Sequence, residues 1–361
     1  MQISQKKHGG NVWAASSKSG KRIEDILDYS ANISPLGTPE GVKQAILRTL
    51  DQLIHYPDPD SLELRSQLAR MLPVDKEQII VGNGSAELIY LLVKTLQPRK
   101  TLLLHPTFSE YEFAVRSFNG ELEFLELRPE NQFRLPAAQV LERLEAVDLL
   151  FICNPNNPTG CLTLREDLLK IIEKAQSTGT FVVVDEAFMD FVYQPELYSI
   201  LDKVKDYSHL FVLRSLTKFY ALPGLRIGAG FGQEELLLRM NDLREPWTVN
   251  SLAQAAAKEA LLDHAYGERL KKLIWQEKEF LFAGLSKIKG VKPYPPSVNY
   301  IFLDIKDTGK TAAQWTELLA CRGVLVRNCN TYPFLGEGYL RVAVRGREEN
   351  ERLLRAFNDV R

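Results

Sequence analysis

The sequence lacks the features that mark metal-binding, secreted, membrane and nucleic-acid-binding proteins. Its four cysteines form no C-x-x-C pair, which argues against a zinc site or a disulfide framework and favours a reducing compartment. It has no run of about 18 apolar residues, and it begins with a polar segment rather than an apolar signal region. Its 45 Lys and Arg nearly balance 46 Asp and Glu, so no overall charge attracts nucleic acid or anionic lipid. These absences predict a cytoplasmic protein that holds no metal ion and binds neither membrane nor nucleic acid.

The pattern of apolar residues predicts the fold class. A chain of 361 residues is long enough for one large domain and a second, smaller one. Short apolar runs alternate with helical periodicity, which predicts an α/β fold with a mostly parallel sheet covered by helices on both faces. The predicted strands of this sheet cover residues 78–82, 101–105, 121–127, 147–153, 180–188, 210–213 and 226–231.

The rest of the chain divides into three further parts. Residues 250–286 carry one long helical pattern, and the strands and helices that follow predict an α+β lobe. No low-complexity linker separates the parts. The predicted boundaries are an N-terminal arm (1–40), a large domain (41–245), a connecting long helix (246–286) and a small C-terminal α+β domain (287–361).

One stretch of the large domain has the composition of a reactive lysine site. Lys218 follows an apolar strand, with a hydroxyl at Ser215 and cations at Arg214 and Arg226. Partial burial and neighbouring positive charge both lower the pKa of a lysine, as an amine nucleophile requires. Arg226 and Ser215 supply donors for a phosphate. The alternative is an ordinary surface lysine in a turn.

Two other loops leave the same end of the predicted sheet. Gly84, Ser85 and Ala86 open a helix, and the unpaired N–H groups of a helix N-terminus form a phosphate cradle, although ordinary strand-to-helix loops look the same. Asp185 ends a buried strand, and Glu186 beside it fits a surface carboxylate better. Because ligands bind beyond the carboxyl ends of parallel strands, these loops and Lys218 are expected to converge on one site.

Taken together, four motifs resemble those of the fold-type I aminotransferases, which depend on pyridoxal phosphate. The resemblance spans roughly residues 28–357, and its motifs are Asn-Pro-Thr-Gly (157–160), Asp-Glu-Ala (185–187), Ser-x-x-Lys (215–218) and Gly-x-Arg-x-Gly (224–228). It implies a large domain with a mostly parallel central sheet covered by helices, a smaller α+β domain and bound pyridoxal 5'-phosphate.

The resemblance also assigns roles to residues of this chain. Lys218 would bond to the cofactor aldehyde, Asp185 would pair with the pyridine nitrogen, and Asn157 would bind the ring oxygen. Tyr111 or Phe108 would stack on the ring, with plain core packing as the alternative for either. Tyr56 would reach the phosphate from a neighbouring subunit, which implies a homodimer with shared sites. The other residues at the phosphate positions are Gly84, Ser85, Ala86, Ser215 and Arg226.

Within this family the chain resembles the subgroup of histidinol-phosphate aminotransferases and threonine-phosphate decarboxylases. Three features favour decarboxylation of a small phosphorylated amino acid, L-threonine O-3-phosphate, for cobalamin biosynthesis: the N-terminal segments 8–11 and 29–37, Phe188 where the aminotransferase pattern usually has Tyr, and the strand 339–345. The alternative is transfer of the amino group of histidinol phosphate to 2-oxoglutarate. A third reading, the aminotransferase-like half of a transcription regulator, needs a DNA-binding segment that residues 1–30 do not resemble.

The residues predicted to bind substrate lie at the two ends of the chain. Arg341 matches the family's carboxylate-binding arginine, while Arg327 and Arg345 are alternatives for the substrate phosphate, and Arg345 could instead face solvent. Four residues at about 3.3 Å each separate Arg341 from Arg345 by about 13 Å, too far for both to grip one carboxylate. The N-terminal candidates are His8, Gly9 and Asn32.

Overall fold

The computed structural model describes residues 8–360, and these form two compact units. Of the described residues, the first unit comprises those up to Pro35, the short segment Pro158–Gly160, and those from Lys271 onward. The second comprises Leu36–Asn157 and Cys161–Leu270. Within the described residues, no helix is both long and apolar enough to span a bilayer.

The α-helices occur along the whole described chain. They are α1 (Val12–Ser19), α2 (Glu40–Thr49), α3 (Leu62–Met71), α4 (Ser85–Leu96), α5 (Glu110–Ser117), α6 (Ala137–Arg143), α7 (Arg165–Thr178), α8 (Leu216–Phe219), α9 (Glu234–Leu243), α10 (Ser251–Leu262), α11 (His264–Ser286), α12 (Ala312–Cys321) and α13 (Arg347–Asp359).

The strands belong to three separate sheets. They are β1 (Leu27–Asp28), β2 (Ile79–Gly82), β3 (Lys100–His105), β4 (Glu121–Glu126), β5 (Leu149–Cys153), β6 (Phe181–Asp185), β7 (Leu210–Ser215), β8 (Gly228–Phe231), β9 (Lys292–Pro293), β10 (Tyr300–Asp304), β11 (Val324–Leu325), β12 (Arg327–Asn328) and β13 (Tyr339–Ala343).

The second unit is built on a seven-stranded sheet with the order β2-β8-β7-β6-β5-β3-β4. Strands β7, β6, β5, β3 and β4 run parallel, whereas β8 is antiparallel to both of its neighbours. Every residue of β6 and β7 is buried, because helices cover a parallel sheet on both faces and apolar strands are needed throughout. The prediction of a mostly parallel sheet covered by helices is confirmed.

The register of this sheet brings the functional loops to one edge. Asp185 ends β6 beside Cys153 of β5 and Leu213 of β7. Ser215 pairs with Gly228, which in turn pairs with Gly82 at the end of β2. The loops that follow β2, β5, β6 and β7 therefore all start from the same edge of the sheet.

The first unit contains a four-stranded antiparallel sheet, β12-β13-β10-β9, and the parallel pair β1 and β11. The N-terminal segment belongs to this unit, although the sequence predicted a separate arm over residues 1–40. The Ala343 amide donates to the Tyr29 carbonyl at 2.9 Å, and the Tyr29 hydroxyl donates to Asn350 at 2.9 Å. These bonds join segments more than 300 residues apart, which local sequence patterns cannot reveal.

The sequence predicted one long helix over residues 250–286. This prediction is wrong in one respect, because the structure contains two helices there. Helix α10 ends at Leu262 and α11 begins at His264. Between them, the Asp263 carboxylate accepts a hydrogen bond from the Tyr266 amide at 2.8 Å. An aspartate in that position caps the start of a new helix and competes with continuation of the old one.

Candidate active site

Lys218 lies on the short helix α8, immediately after β7. Its Nζ donates to Ser215 Oγ at 2.8 Å and lies 5.6 Å from the centre of the Phe188 ring. Burial lowers the pKa of Lys218 to about 8; Arg226 lowers it further and Asp185 opposes the shift. With that pKa, about a tenth of the amine is neutral at pH 7, a much larger fraction than for a lysine in water. Lys218 thus has the properties of a nucleophilic amine.

The sequence predicted that Arg214 is one of the charges that lower the pKa of Lys218. This prediction is wrong. The Arg214 guanidinium pairs with Glu186 at 2.8 Å and with Asp190 at 2.9 Å. Glu186 is fully buried, so its interpretation as a surface carboxylate is also wrong. Neighbouring residues on a strand point to opposite faces, which separates this ion pair from the face occupied by Ser215 and Asp185.

Asp185 is a buried carboxylate at the carboxyl end of β6, with 4% of its surface exposed. Its Oδ2 accepts a hydrogen bond from the Tyr111 hydroxyl at 2.7 Å, and its Oδ1 accepts one from the Ala187 amide at 2.9 Å. Burial raises the pKa of Asp185, and the Tyr111 hydroxyl, the Lys218 charge and the Ala187 amide all oppose that rise. Both carboxylate oxygens are therefore fixed by donors.

Tyr111 does not have the exposed ring face that stacking on a cofactor requires, so that predicted role is wrong. The residue is fully buried, and its ring stacks on Phe151 with centroids 4.7 Å apart. The alternative, Phe108, is only partly buried and meets the edge of the Tyr111 ring at 5.6 Å. Of the two aromatic side chains, Phe108 alone has surface available for a ligand.

The loop after β5 is held by two of its asparagines. Asn154 Oδ1 accepts from the Thr163 amide at 2.8 Å, and Asn156 Nδ2 donates to the Pro106 carbonyl at 3.0 Å. Both asparagines are buried, whereas Asn157 is partly exposed. Asn154 and Asn156 thus shape the loop, whereas Asn157 is the asparagine predicted to contact the cofactor.

The N-terminus of α4 has the form of an anion site. Gly84 precedes this helix with φ +77° and provides no side-chain cap for its first amides. A Cβ at Gly84 would collide with the Arg226 guanidinium, so the arginine lies directly against the helix N-terminus. A positive dipole end and a guanidinium would repel each other unless an anion lay between them.

The remaining predicted phosphate contacts surround this point. A Cβ at Gly228 would lie 2.5 Å from the Ser85 amide nitrogen, so glycine is needed where β8 passes the start of α4. Ser215 is buried, with its Oγ 2.8 Å from both Lys218 Nζ and Thr217 Oγ1. Ala86 is partly exposed in the first turn of the helix. These placements agree with a phosphate bound beside Lys218.

Tyr56 projects from a proline-rich loop of the second unit. It is 77% exposed, and its ring stacks on Trp247 with centroids 4.4 Å apart.

In the first unit, Arg327 and Arg341 lie directly opposite each other on β12 and β13. Both are buried, Arg327 at 8% exposure and Arg341 at 5%. Arg345 lies beyond the end of β13 and pairs with Glu349 at 2.7 Å. The two cross-strand arginines are therefore brought together, and Arg345 is bound elsewhere.

The N-terminal candidates also lie in the first unit. A Cβ at Gly9 would overlap the Ser30 carbonyl oxygen, and the Gly10 amide donates to Ser30 Oγ at 2.7 Å. Asn32 is buried, and its Oδ1 has no hydrogen-bond partner within residues 8–360. His8 is exposed at the start of the described chain.

Comparison with known proteins identifies the family to which this arrangement belongs. The sequence matches aminotransferase class I and II over residues 24–357. The chain belongs to that family. Its aminotransferase-type fold is also seen in the crystal structure of histidinol-phosphate aminotransferase from Clostridium acetobutylicum, with a TM-score of 0.87 at 28% identity over 93% of this chain and 99% of that one.

Other members of the family are similar to this chain over nearly its whole length. Threonine-phosphate decarboxylase from Salmonella typhimurium is 37% identical over 98% of this chain and 96% of that protein. An adenosylcobalamin biosynthesis bifunctional protein from Leptospira interrogans is 32% identical over 98% of this chain, which spans 41% of its length. The crystal structure of L-threonine-O-3-phosphate decarboxylase from Porphyromonas gingivalis has a TM-score of 0.81 at 25% identity, covering 92% of this chain and 99% of that one.

Membership of the aminotransferase class I and II family confirms the predictions of fold type and of a pyridoxal-phosphate-dependent enzyme. The residues present fit this cofactor, because the second unit combines an anion site at α4, a lysine of lowered pKa and a buried carboxylate. Sequence reasoning missed the bond from Tyr111 to Asp185. It also missed the close approach of Gly228 to Ser85. The glycine at the end of the Gly-x-Arg-x-Gly motif was the available signal for that approach.

Proposed function

We propose that this member of the aminotransferase family decarboxylates L-threonine O-3-phosphate with pyridoxal 5'-phosphate. The products are carbon dioxide and (R)-1-amino-2-propanol O-2-phosphate, and the reaction belongs to cobalamin biosynthesis. The 37% identity with the Salmonella threonine-phosphate decarboxylase over 98% of the chain supports this choice of substrate. The similarity to the Leptospira adenosylcobalamin biosynthesis protein supports the pathway.

The structural observation that carries the proposal is the pair of arginines Arg327 and Arg341. Residues directly opposite on antiparallel strands share one face of the sheet, and like charges there destabilise the pair. Within residues 8–360, Arg327 forms no ion pair with an acidic side chain; it donates to Thr331 Oγ1 at 2.9 Å. A substrate with two anionic groups would offset the repulsion. Threonine phosphate has a carboxylate and a phosphate; histidinol phosphate has only the phosphate, while 2-oxoglutarate, the other substrate of the alternative reaction, has two carboxylates.

The two arginines also have different surroundings, which suits two different anions. The Arg341 Nη2 donates to the Ser30 carbonyl at 2.8 Å, and its guanidinium lies 5.2 Å from the centre of the Tyr300 ring. Arg341 is thereby held in one orientation, as a carboxylate partner should be, and Arg327 is left for the phosphate. Arg345 is not among the proposed substrate contacts, because its guanidinium pairs with Glu349.

Pyridoxal phosphate supplies an electron-withdrawing ring that accepts the electrons of a broken bond at the substrate Cα. Asp185 would hold the positive charge on the ring nitrogen, and Lys218 would bond to the aldehyde and carry protons. Asn157 would bind the ring oxygen, Phe108 would cover the ring face, and Arg226 would bind the phosphate with the α4 amides.

The choice between decarboxylation and transamination depends on which substrate group the protein holds in a fixed position. A fixed carboxylate favours loss of carbon dioxide, whereas a fixed Cα–H bond favours proton removal. The N-terminal segment that contains Gly9 and Gly10 acts on this choice through Ser30. Both glycines contact Ser30, and the Ser30 carbonyl accepts a hydrogen bond from Arg341. His8, Gly9 and Asn32 complete the proposed substrate contacts.

We also propose that the enzyme is a homodimer in which Tyr56 reaches the cofactor phosphate of the partner subunit. The support is an exposed apolar surface beside Tyr56, where a monomer would leave Leu47, Leu50, Leu53 and Ile54 between 44% and 84% exposed. An apolar patch of this kind on a soluble protein is a typical association surface.

The second candidate is a histidinol-phosphate:2-oxoglutarate aminotransferase. The observation in its favour is the TM-score of 0.87 with the histidinol-phosphate aminotransferase of Clostridium acetobutylicum. Product analysis distinguishes the two candidates. Purified enzyme loaded with pyridoxal phosphate is given threonine phosphate in one reaction, and histidinol phosphate with 2-oxoglutarate in another. Release of carbon dioxide in the first supports the decarboxylase, and formation of glutamate in the second, without release in the first, supports the aminotransferase.

A further inference from the structure

The proposed function does not use the hydrogen bond between Tyr111 and Asp185. This bond joins a fully buried phenol to a carboxylate that is 4% exposed, with an O–O distance of 2.7 Å. Hydrogen bonds from a hydroxyl to an ionised carboxylate are short and strong. The bond therefore contributes to the charge state or orientation of Asp185.

The Tyr111 ring is held tightly enough to fix the position of its hydroxyl. One face stacks on Phe151 of β5 at 4.7 Å with an interplanar angle of 9°, and its edge meets Phe108 at 5.6 Å and 82°. The backbone of Tyr111 lies in the first turn of α5. A ring fixed on two sides leaves the hydroxyl one position, which is on Asp185 Oδ2.

The charged and titratable groups that face Asp185 come from three elements. Tyr111 faces it from α5 and Lys218 from α8, while Cys153 lies beside it on the adjacent strand β5. Burial raises the pKa of the Tyr111 phenol far above its usual range and the pKa of the Cys153 thiol to about 12. Both groups stay protonated, so Tyr111 remains a donor throughout the physiological range.

We propose that Tyr111 is a positioning residue that keeps Asp185 ionised and aimed at the cofactor's ring nitrogen. The hydroxyl occupies Oδ2 and the Ala187 amide occupies Oδ1, so the carboxylate cannot rotate about its last bond without losing both. Because Tyr111 also contacts Phe108, it links the group that pairs with the ring nitrogen to the group that covers the ring face. The inference rests on the proposed cofactor site and does not depend on the identity of the substrate.

The direct test is Tyr111→Phe, which keeps the ring and removes the hydroxyl. Loss of a hydrogen bond to a charged group should weaken cofactor binding about tenfold near neutral pH. Equilibrium dialysis of pyridoxal phosphate against the cofactor-free enzyme measures this as a function of pH. Since the hydroxyl stabilises the charged carboxylate, its loss raises the pKa of Asp185, so the acid limb of binding should move to higher pH.

The chain offers a matched control in Tyr90→Phe. The Tyr90 hydroxyl donates to Glu110 at 2.8 Å, a similar tyrosine–carboxylate bond between α4 and α5. Its removal should leave the pH profile of cofactor binding in place. Movement of the profile by the same amount in Tyr90→Phe would overturn the proposal, because the effect would then be a general loss of packing.

A double variant separates positioning from stability. In the Asp185→Asn background, Tyr111→Phe should cause no further shift of the pH profile, since the group it acts through is gone. The inference would be overturned if Tyr111→Phe caused an equal loss of cofactor affinity in the wild-type and Asp185→Asn backgrounds. It would also be overturned if Tyr111→Phe left the pH profile of cofactor binding in place. Failure of the wild type itself to bind pyridoxal phosphate would instead refute the proposed function.

Discussion

Gly84 and Arg226 are in such close contact that a single methyl group on the glycine would displace the guanidinium. Gly84 begins the anion site with φ +77°, and the Cβ of an alanine there would collide with Arg226 Nη2. Arg226 itself has φ +59°, an uncommon conformation for a residue other than glycine. Both residues of this contact thus have a positive φ, and the Arg226 side chain lies where a side chain at position 84 would be.

Gly84→Ala should therefore weaken binding of pyridoxal phosphate and destabilise the fold. A non-glycine residue in this conformation costs about 1–3 kcal/mol, and the clash moves Arg226 away from the phosphate. Gly179→Ala is a control for positive φ alone, because Gly179 has φ +77° in the left-handed region and a Cβ there would meet nothing within 4 Å. Gly84→Ala should lose more stability in urea unfolding, because its ψ of 158° places it in a region essentially confined to glycine, and only Gly84→Ala should lose cofactor affinity. Equal affinities would show that Arg226 does not hold the phosphate.

The lowered pKa of Lys218 predicts how reconstitution depends on pH. The folded state favours the neutral amine, whose population rises with pH through a midpoint of about 8 instead of 10.5. Covalent capture of pyridoxal phosphate by the cofactor-free enzyme should follow that midpoint, as monitored by absorbance. Borohydride reduction and mass spectrometry then locate the modified lysine.

Lys218→Ala should abolish this covalent capture and lower turnover by about 10²–10⁴-fold, as expected for loss of the group that carries protons. The matched control is Lys278→Ala, which removes another buried lysine whose pKa burial lowers. Capture in the Lys278→Ala variant should be normal. A reduced, cofactor-modified lysine in Lys218→Ala would assign the reaction to a different residue.

Asp185→Asn should leave the cofactor bound and slow the reaction. The phosphate contacts at α4 and Arg226 remain, while the ring nitrogen loses its negatively charged partner. We expect turnover to fall at least about a hundredfold, because an uncharged amide does not stabilise the developing electron pair. Turnover near that of the wild type, with cofactor bound, would exclude Asp185 as the partner of the ring nitrogen.

The proposed dimer predicts that a charge on the exposed apolar surface affects the cofactor site. Ile54 is 84% exposed, and Ile54→Glu should produce a monomer in analytical ultracentrifugation. The monomer should bind pyridoxal phosphate more weakly, because it lacks Tyr56 of the partner subunit. Tyr56→Phe should weaken cofactor binding without changing the dimer. A wild-type monomer with full activity would refute both the dimer and this role for Tyr56.

Gly9→Ala tests the N-terminal segment. The added Cβ would overlap the Ser30 carbonyl, which accepts a hydrogen bond from Arg341, so we expect release of carbon dioxide from threonine phosphate to fall. Cofactor affinity should stay unchanged, and slow transamination should appear as the carboxylate loses its fixed position. Deletion of residues 1–11 should have the same effect.

Gly20→Ala is the control for this prediction: a Cβ there would meet nothing within 4 Å, so the φ of +68° should cost stability without moving Ser30. Its rate of carbon dioxide release should equal that of the wild type. If Gly9→Ala and the deletion also release carbon dioxide at the wild-type rate, the segment has no part in the reaction.

The sequence alone determined the features that depend on short stretches of chain. The parallel sheet follows from apolar strands that alternate with helices. The loops that carry Lys218, Asp185 and Asn157 follow from motifs of a few residues each. Strand direction in such a sheet then brings the loops to one edge, so the main parts of the cofactor site could be predicted before the structure.

Only the tertiary structure decided which side chains meet across that edge. Tyr111 and Asp185 are 74 residues apart, and Arg214 pairs with a residue 24 positions away. Arg327 faces Arg341 because of the register of β12 against β13. Periodicity tells which face of a strand a residue occupies, whereas its partner depends on which strands are neighbours and on their relative register. For that reason the sequence predicted a cofactor lysine and its acid, and the structure added the hydroxyl that holds the acid.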